Sequence, residues 1–346
     1  MEVEKMTKYK AGIIGCGRIF PMHAVPIRDQ AEVELQAVCD IKKGRAQTAA
    51  KEFNCRPYFD YKKMLSEEEL DVVHICTPHY HHAPATITAA QQKIDILTEK
   101  PMSITEKNAQ KMIAAAAEND VTLGVIFQNR YNPGSVLIKE KLSSGELGKI
   151  KGARLFLTWQ RTDEYYSQSD WKGTWDKEGG GVIIDQSIHT LDLLRWLVDS
   201  PVTAVEASIA TRNHDYIEVE DMAEGIINFN CGVTASFYTM NYYSCDAPVE
   251  LELHCERGTA KITGDTGRVS FNNGKIIEAQ CNPEETFNYG SGQSYWGVSH
   301  VKQINNYYRA LLKGEKPDIT GNEALKTQQL VCAIYKSGKE NKRINF

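Results

Sequence analysis

Gly12–Phe20 reads GIIGCGRIF, and the fold of the first half turns on it. Ile13 and Ile14 close an apolar run of strand length, Gly15-Cys16-Gly17 makes a turn, and a helix opens behind it. These are the first two glycines of a G-x-G-x-x-G pattern. Gly15 permits a tight turn, and Gly17 lets backbone approach a pyrophosphate at the helix N-terminus, with Arg18 and Ile19 next in the turn. The third position is Phe20 rather than a small residue, so the helix must tilt or pack less closely on its strand. By itself, G-x-G reads equally well as a plain glycine turn.

The surrounding pattern adds weight. KAGIIG, VELQAVC, DVVHICT, KIDIL and VTLGVIF are short apolar runs, and helical stretches such as KGRAQTAAKEF separate them. That alternation predicts a parallel sheet with crossover helices, covered on both faces. The second run ends in Asp40, 23 residues after Gly17. An acid there accepts the ribose hydroxyls and repels a 2′-phosphate, which favours NAD over NADP. Lys42, Lys43 and Arg45 follow and suit a 2′-phosphate, and Asp40 also reads as a helix N-cap. The fourth run leads into TPHYHHAP. Thr77 and Pro78 stand at the ligand edge of the sheet, and His79, His81 and His82 follow on what reads as a loop. Adjacent histidines on a loop give no chelating geometry, so no metal site is expected. One histidine is expected to face the cofactor. The fifth run ends in Glu99-Lys100-Pro101, where proline biases Lys100 toward extended backbone.

The 346 residues exceed one ordinary core. Residues 1–128 are expected to form a dinucleotide-binding domain. Residues 129–346 are expected to form an α+β domain with a large, mainly antiparallel sheet. After Phe127 strands come in runs, two of them joined by Asn230-Cys231-Gly232. The helix-like stretch Asn322–Ser337 is expected to pack back near the first domain. A net charge of −5 gives no reason to expect nucleic-acid binding. No apolar run approaches the roughly 20 residues of a membrane helix. MEVEKMTKYK lacks the apolar core of a secretory signal. Nine cysteines without a CxxC pair predict no disulfide framework and a reducing, cytoplasmic location.

GGGVIIDQSIH, Gly179–His189, carries Asp185 and His189 four apart after a glycine run. The plain reading is an exposed i,i+4 helical pair. Ile184, Ile188, Leu191 and Leu194 mark the core face, and Asp192 is placed to orient the imidazole of His189. The preceding stretch, residues 158–180, is rich in aromatic and basic residues. Arg161, Tyr165 and Trp171 suit a sugar ring and its hydroxyls. A packed aromatic loop or a subunit contact fits the same residues. Arg161 and Lys172 suit a carboxylate or phosphate, though nothing requires one. His300 precedes a helix, where a helix-start role suits it.

The order and spacing of GCGRIF, TPHYHH, EKP, QNRYNP and GGGVIIDQSIHTLDLLRW resemble the glucose–fructose oxidoreductase / inositol dehydrogenase family, Gfo/Idh/MocA, along nearly the whole chain. The span of 85 residues from Lys100 to Asp185, with D-x-x-x-H following, is the specific part. The resemblance implies a Rossmann domain and a C-terminal domain whose open sheet mediates oligomers, a homodimer or homotetramer. It implies oxidation or reduction of a ring carbinol of a sugar, glycoside or inositol with NAD or NADP. It assigns Lys100, Asp185 and His189 to catalysis, and His82, Glu99 and Arg130 to the cofactor side. Asn132 falls near the substrate. His189, with an ordinary pKa near ~6.5, suits a general base, and Lys100 would donate to the reacting oxygen. Phe20 and Gln186-Ser187 depart from the family pattern. Two rival readings are NAD held tightly for transient oxidation in glycoside cleavage, and a non-catalytic NAD(H) sensor. The intact Lys100, Asp185 and His189 set argues against the sensor.

Overall fold

A computed structural model describes residues 8–282 and 297–346. The chain divides into two compact units, Met1–Ile126 with Thr286–Leu325, and Phe127–Glu285 with Lys326–Phe346.

The first unit alternates as β1 (Tyr9–Ile14), α1 (Phe20–Arg28), β2 (Val33–Cys39), α2 (Lys43–Phe53), β3 (Arg56–Tyr58), α3 (Tyr61–Glu67), β4 (Val72–Ile75), α4 (His79–Gln91), β5 (Asp95–Thr98), α5 (Glu106–Glu118) and β6 (Leu123–Val125). The six strands are parallel in the order β3-β2-β1-β4-β5-β6. The order reverses between β1 and β4, so ligands are expected beyond the carboxyl ends of those strands. β4 is buried along its length, as a sheet covered on both faces requires. One expectation needs correcting here. His79, His81 and His82 do not lie on a loop but in the first turn of α4, and Pro84 sits inside that helix. Burial of His82, Ala83, Ala85 and Thr86 ties the helix start to the core.

The second unit opens with a 3-10 turn at Gln128–Tyr131, α6 (Pro133–Ser143), β7 (Ile150–Thr158) and α7 (Asp163–Ser167). A π turn at Ile183–Ser187 then runs into α8 (Ile188–Val198). Strands β8 (Val202–Ala210), β9 (Met222–Phe229), β10 (Thr234–Met240), β11 (Glu250–Cys255), β12 (Gly258–Thr263), β13 (Thr266–Phe271) and β14 (Ile276–Ala279) follow. With β15 (Ile344–Asn345) they form a nine-stranded sheet, β14-β13-β12-β11-β7-β10-β9-β8-β15. All pairs are antiparallel except β10 with β7. The Asn230-Cys231-Gly232 turn joins β9 to β10, with Gly232 at φ +86°. Leu155, Leu157, Phe237 and Leu253 are buried from alternate positions, while Phe156 and Ile226 stand exposed. Ile184, Ile188, Leu191 and Leu194 are buried as their spacing predicts.

α9 (Gly297–Lys313) belongs to the first unit, as do residues 322–325 of the helix expected to pack back there. Ile304, Tyr307 and Tyr308, at i, i+3 and i+4, enter the core with Ala24, Ile27 and Leu97. From Lys326 onward α10 (Gly321–Glu340) belongs to the second unit. There the Ser337 hydroxyl accepts the Ala207 amide at 2.9 Å. All nine cysteines are free thiols. Among the described residues, no helix is long and apolar enough to cross a membrane.

Candidate active site

In the first unit, Gly15 takes φ +102°, and a Cβ there would stand 2.5 Å from the Cys76 carbonyl oxygen. Only glycine suits that turn. Gly17 is the reverse case, since a Cβ there would meet nothing within 4 Å. Asp40 holds the turn: its carboxylate accepts the Cys16 amide at 2.9 Å and the Lys42 amide at 2.7 Å. The N-cap of α2 is Lys42, so Asp40 is not a helix cap. Arg18 is exposed, and Ile19 is the N-cap of α1. Phe20 is buried and meets Phe53 edge-on at 5.5 Å, using its bulk as core.

Thr77 and Pro78 end the β4 segment. The Thr77 Oγ1 is buried, with no hydrogen-bond partner among the described residues. His82 points inward. It is fully buried, with Nδ1 2.7 Å from the Pro101 carbonyl and Nε2 2.8 Å from the Thr77 carbonyl. Both neighbours are acceptors and burial favours the neutral ring, so His82 donates to one of the two carbonyls and packs against the other. Glu99 also faces inward, 3.1 Å from His23 and 3.2 Å from His300. Buried carboxylates need such partners. Lys100 follows at the sheet edge, half-buried, its peptide bond to Pro101 cis. The open position at Gly17, the buried Thr77 hydroxyl and the fixed acid at Asp40 fit a dinucleotide. They would hold its pyrophosphate and adenosine ribose.

In the second unit the glycine run is held by Glu220 and Tyr335. The Glu220 carboxylate accepts the amides of Gly181 at 2.9 Å and Ile183 at 3.0 Å, and the Tyr335 hydroxyl at 2.9 Å. A Cβ at Gly180 would stand 2.0 Å from the Tyr335 hydroxyl. The run thus exists to let these side chains close on the backbone leading to Asp185.

Asp185 is the centre of a polar cluster. Its Oδ2 accepts from the Tyr165 hydroxyl at 2.5 Å, the Lys172 ammonium at 2.7 Å and the Gln186 amide at 2.8 Å. Lys172 also lies 2.6 Å from the Tyr165 hydroxyl and 3.4 Å from Glu178. Burial alone would lower the Lys172 pKa, but Asp185, Tyr165 and Glu178 outweigh it and hold it well up. Burial and then the Asp185 charge push the Tyr165 phenol up. Burial pushes the Glu178 carboxyl up, against Lys172, with Asp185 adding to the rise. At neutral pH Lys172 is an ammonium beside Asp185 and Tyr165 a neutral phenol.

Asp185 lies in the π turn over Ile183–Ser187 and His189 in the first turn of α8, and both are half-buried, so they are not an exposed pair. Asp185 turns to Tyr165 and Lys172, whereas the His189 ring meets Phe127 edge-on at 6.1 Å. Asp192 does not serve His189 either. Its carboxylate holds Arg130 through two bonds of 2.6 and 2.7 Å and accepts the Thr327 hydroxyl at 2.7 Å. Arg130 is 6% exposed, and the pair is a buried fork-to-carboxylate contact. Asn132 joins the 3-10 turn to α6. Arg161 pairs with Asp246 at 3.0 Å and stacks over Trp159 and Tyr165. A surface depression of about 450 Å³ beside it is lined by Gln160, Asp163, His214 and Tyr242 among others. Trp171 lies under the Lys172 ammonium at 4.6 Å.

Sequence reasoning did not anticipate Glu178, Glu220, His23 or His74. Glu220, His23 and His74 act through partners distant in sequence, and Glu178 through Lys172 and Gly173 within six residues of it; no local pattern signals either. The pairing of Lys172 with Asp185 was equally hidden, though the aromatic stretch around Lys172 was visible.

Residues 9–127 match the description "Oxidoreductase family, NAD-binding Rossmann fold", and residues 136–261 match the GFO/IDH/MocA C-terminal domain. The chain is 28% identical to a D-apiose dehydrogenase of Paraburkholderia graminis, over 98% of this chain and 90% of that one. It is 22% identical to a myo-inositol 2-dehydrogenase of Thermotoga maritima, over 97% and 98%. The structure of the WlbA dehydrogenase from Bordetella pertussis, in complex with NADH and UDP-GlcNAcA, superposes with a TM-score of 0.85 at 29% identity. That match covers 98% of this chain and 99% of the other. With both of its halves matched, the chain belongs to the Gfo/Idh/MocA family of oxidoreductases and carries that family's NAD-binding Rossmann fold.

Proposed function

We propose that this enzyme transfers hydride between NAD and a ring carbinol of a sugar, glycoside or inositol. The observation that carries the reading is the cluster on Asp185, where a carboxylate, an ammonium, a phenol and an amide converge. Such a mixture of donors and acceptors matches the neighbouring hydroxyls of a polyol. The dehydrogenase names of the relatives support the same substrate class.

The nicotinamide, when bound, accepts or delivers the hydride. His189 takes the hydroxyl proton in oxidation and returns it in reduction. Lys100 donates to the reacting oxygen and stabilises its developing charge. Asp185, held by Tyr165, Lys172 and Gln186, accepts from a neighbouring hydroxyl. Asp40 favours NAD over NADP, because a fixed carboxylate repels a 2′-phosphate. A chain with nine free thiols suits the reducing cytoplasm. We also assign to the exposed sheet face, with Phe156 and Ile226, the contact of a homodimer or homotetramer. Light scattering of wild type and Ile226→Glu tests that, with a monomeric wild type excluding it.

The deciding experiment is a panel of sugars, glycosides, inositols and nucleotide sugars with NAD and NADP, followed by NADH absorbance. Nucleotide sugars belong in it because WlbA, at 29% identity, holds one. Turnover of a polyol with NAD supports the reading. Bound cofactor with no response across the panel would remove it in favour of a sensor.

A further inference from the structure

The first unit contains an unbroken run of buried hydrogen bonds that ends at the lysine turn. The Tyr308 hydroxyl lies 2.8 Å from His74 Nε2. His74 Nδ1 lies 2.8 Å from His23 Nδ1. His23 Nε2 lies 3.1 Å from Glu99 Oε1, and His300 Nε2 lies 3.2 Å from the same oxygen. Glu99 Oε2 accepts the Lys100 amide at 3.1 Å. His23 and His74 are fully buried, and Tyr308, His300 and Glu99 nearly so.

Valence fixes the direction of this chain. Two Nδ1 atoms meet between His23 and His74, so one ring must donate and the other accept. An ionised Glu99 only accepts, which places a hydrogen on Nε2 of both His23 and His300. A neutral His23 then has a bare Nδ1 and requires His74 to carry Nδ1–H. His74 in turn has a bare Nε2, which accepts the Tyr308 hydroxyl. Every link then has one donor and one acceptor, all pointing toward Glu99.

The electrostatics agree with that assignment. Burial drives His23 and His74 toward their neutral forms. Burial would raise the Glu99 carboxyl, but the bonds from His23 and His300 outweigh it and hold it well below its usual range. The titratable groups around this carboxylate are His23 from α1, His74 and Cys76 from β4 and its exit, His82 from α4, His300 from α9, and Lys100 beside it.

We propose that the one-way chain Tyr308–His74–His23–Glu99, with His300, is the positioning device for Lys100. It holds Glu99 as a buried anion, and the second oxygen of that anion fixes the Lys100 amide. The direction in which the lysine leaves β5 is set from the core. Glu99, His23, His74, His300 and Tyr308 are therefore positioning residues for the hydride-transfer reaction. The inference rests on the reading of Lys100 as donor to the reacting oxygen, but the chain can be tested apart from it. The ligand atoms of His23, Glu99 and His300 also lie within 4.8 Å of one another, a spacing a metal ion can use. A divalent cation there would need bare Nε2 atoms and would force the opposite polarity.

The test is the ring ¹⁵N spectrum of the full-length, histidine-labelled protein, with assignments from single variants. The expected result is neutral His23 as the Nε2–H tautomer and neutral His74 as the Nδ1–H tautomer, unchanged between about pH 6 and pH 8. A His23 Nδ1–H signal, or titration of either ring in that range, overturns the polarity. Tyr308→Phe removes the donor to His74 Nε2 but leaves the His23 Nδ1 acceptor, so His74 should remain the Nδ1–H tautomer while its bare Nε2 resonance shifts on losing the hydrogen bond. A His74 signal unchanged in that variant would equally overturn the chain. For turnover, Glu99→Gln should lower kcat roughly tenfold or more, with NAD dissociation within about threefold of wild type. Tyr308→Phe should lower kcat several-fold at unchanged KM. Wild-type kcat in both variants would sink the positioning role, and if Glu99→Gln does not fold, Tyr308→Phe decides alone. If no substrate is found, the functional reading falls and the spectrum still decides the chain.

Discussion

Gly181 and Glu220 are locked together twice. The Glu220 carboxylate takes the Gly181 amide at 2.9 Å, and a Cβ on Gly181 would fall 1.9 Å from the Glu220 carbonyl oxygen. That obstacle is backbone and cannot rotate away. Gly181→Ala is expected to cost roughly 2–4 kcal/mol, read as a lower urea midpoint at unchanged slope. Gly17→Ala is the contrast, because its Cβ would meet only open space. It should leave stability within about 0.5 kcal/mol of wild type. NAD affinity should nevertheless fall, since the methyl stands where backbone approaches the pyrophosphate. Equal stability losses in both variants would contradict this distinction.

Burial raises the Glu220 carboxyl from 4.5 to about 7, against the bonds it accepts from Ile183, Gly181 and Tyr335. The folded chain therefore favours the protonated form. Its contribution is fully present below the unfolded value and is lost as pH rises through about 7. The loss amounts to roughly 3 kcal/mol at most for this fully buried group. Glu220→Gln carries no titrating proton and should flatten that part of the profile. Urea midpoints of both proteins at about pH 5 and pH 8 measure the difference. A slope shared by wild type and variant would remove Glu220 as its source.

These two residues also show where sequence reasoning reaches its limit. Gly15, Gly17 and Asp40 were legible because a dinucleotide turn is local: strand, turn and helix lie within one stretch of chain. The alternation of runs gave the parallel sheet, and the Asn230-Cys231-Gly232 turn gave a hairpin, for the same reason. The Gly179–Gly181 run was legible as unusual but not as to cause, since Glu220 and Tyr335 arrive from distant segments. The π turn that carries Asp185 was not legible, because spacing alone does not distinguish it from an α turn. His82 and Arg130 carry the family's pattern, yet their polar atoms face Pro101, Thr77 and Asp192. The motif predicted their positions and not their partners.

Arg130 and Asp192 form a buried pair whose loss should be structural. Arg130→Met leaves the Asp192 carboxylate, 1% exposed, with Arg195 at 3.7 Å in place of its two-bond partner. The expected cost is roughly 3–5 kcal/mol. The double variant Arg130→Met/Asp192→Leu should recover part of it, because the buried carboxylate is gone although Arg195 loses its ion partner at 3.7 Å. NAD affinity per folded molecule should be close to wild type in the double variant. A large loss of affinity there, with stability partly restored, would assign Arg130 to the cofactor.

His189 and Lys172 should separate chemistry from recognition. His189→Ala removes the proposed proton acceptor and should lower kcat by roughly 10²–10⁴-fold, with NAD dissociation nearly unchanged. Lys172→Met acts differently. It removes the ammonium 2.7 Å from Asp185 and leaves that carboxylate with the Tyr165 and Gln186 donors. Substrate hydroxyls then meet a less firmly placed acceptor, so KM should rise more than kcat falls. Steady-state kinetics on the best substrate of the panel gives both numbers. Turnover unchanged in His189→Ala would exclude that residue as the base. A Lys172→Met variant that loses kcat alone would move Lys172 from substrate recognition into the chemical step.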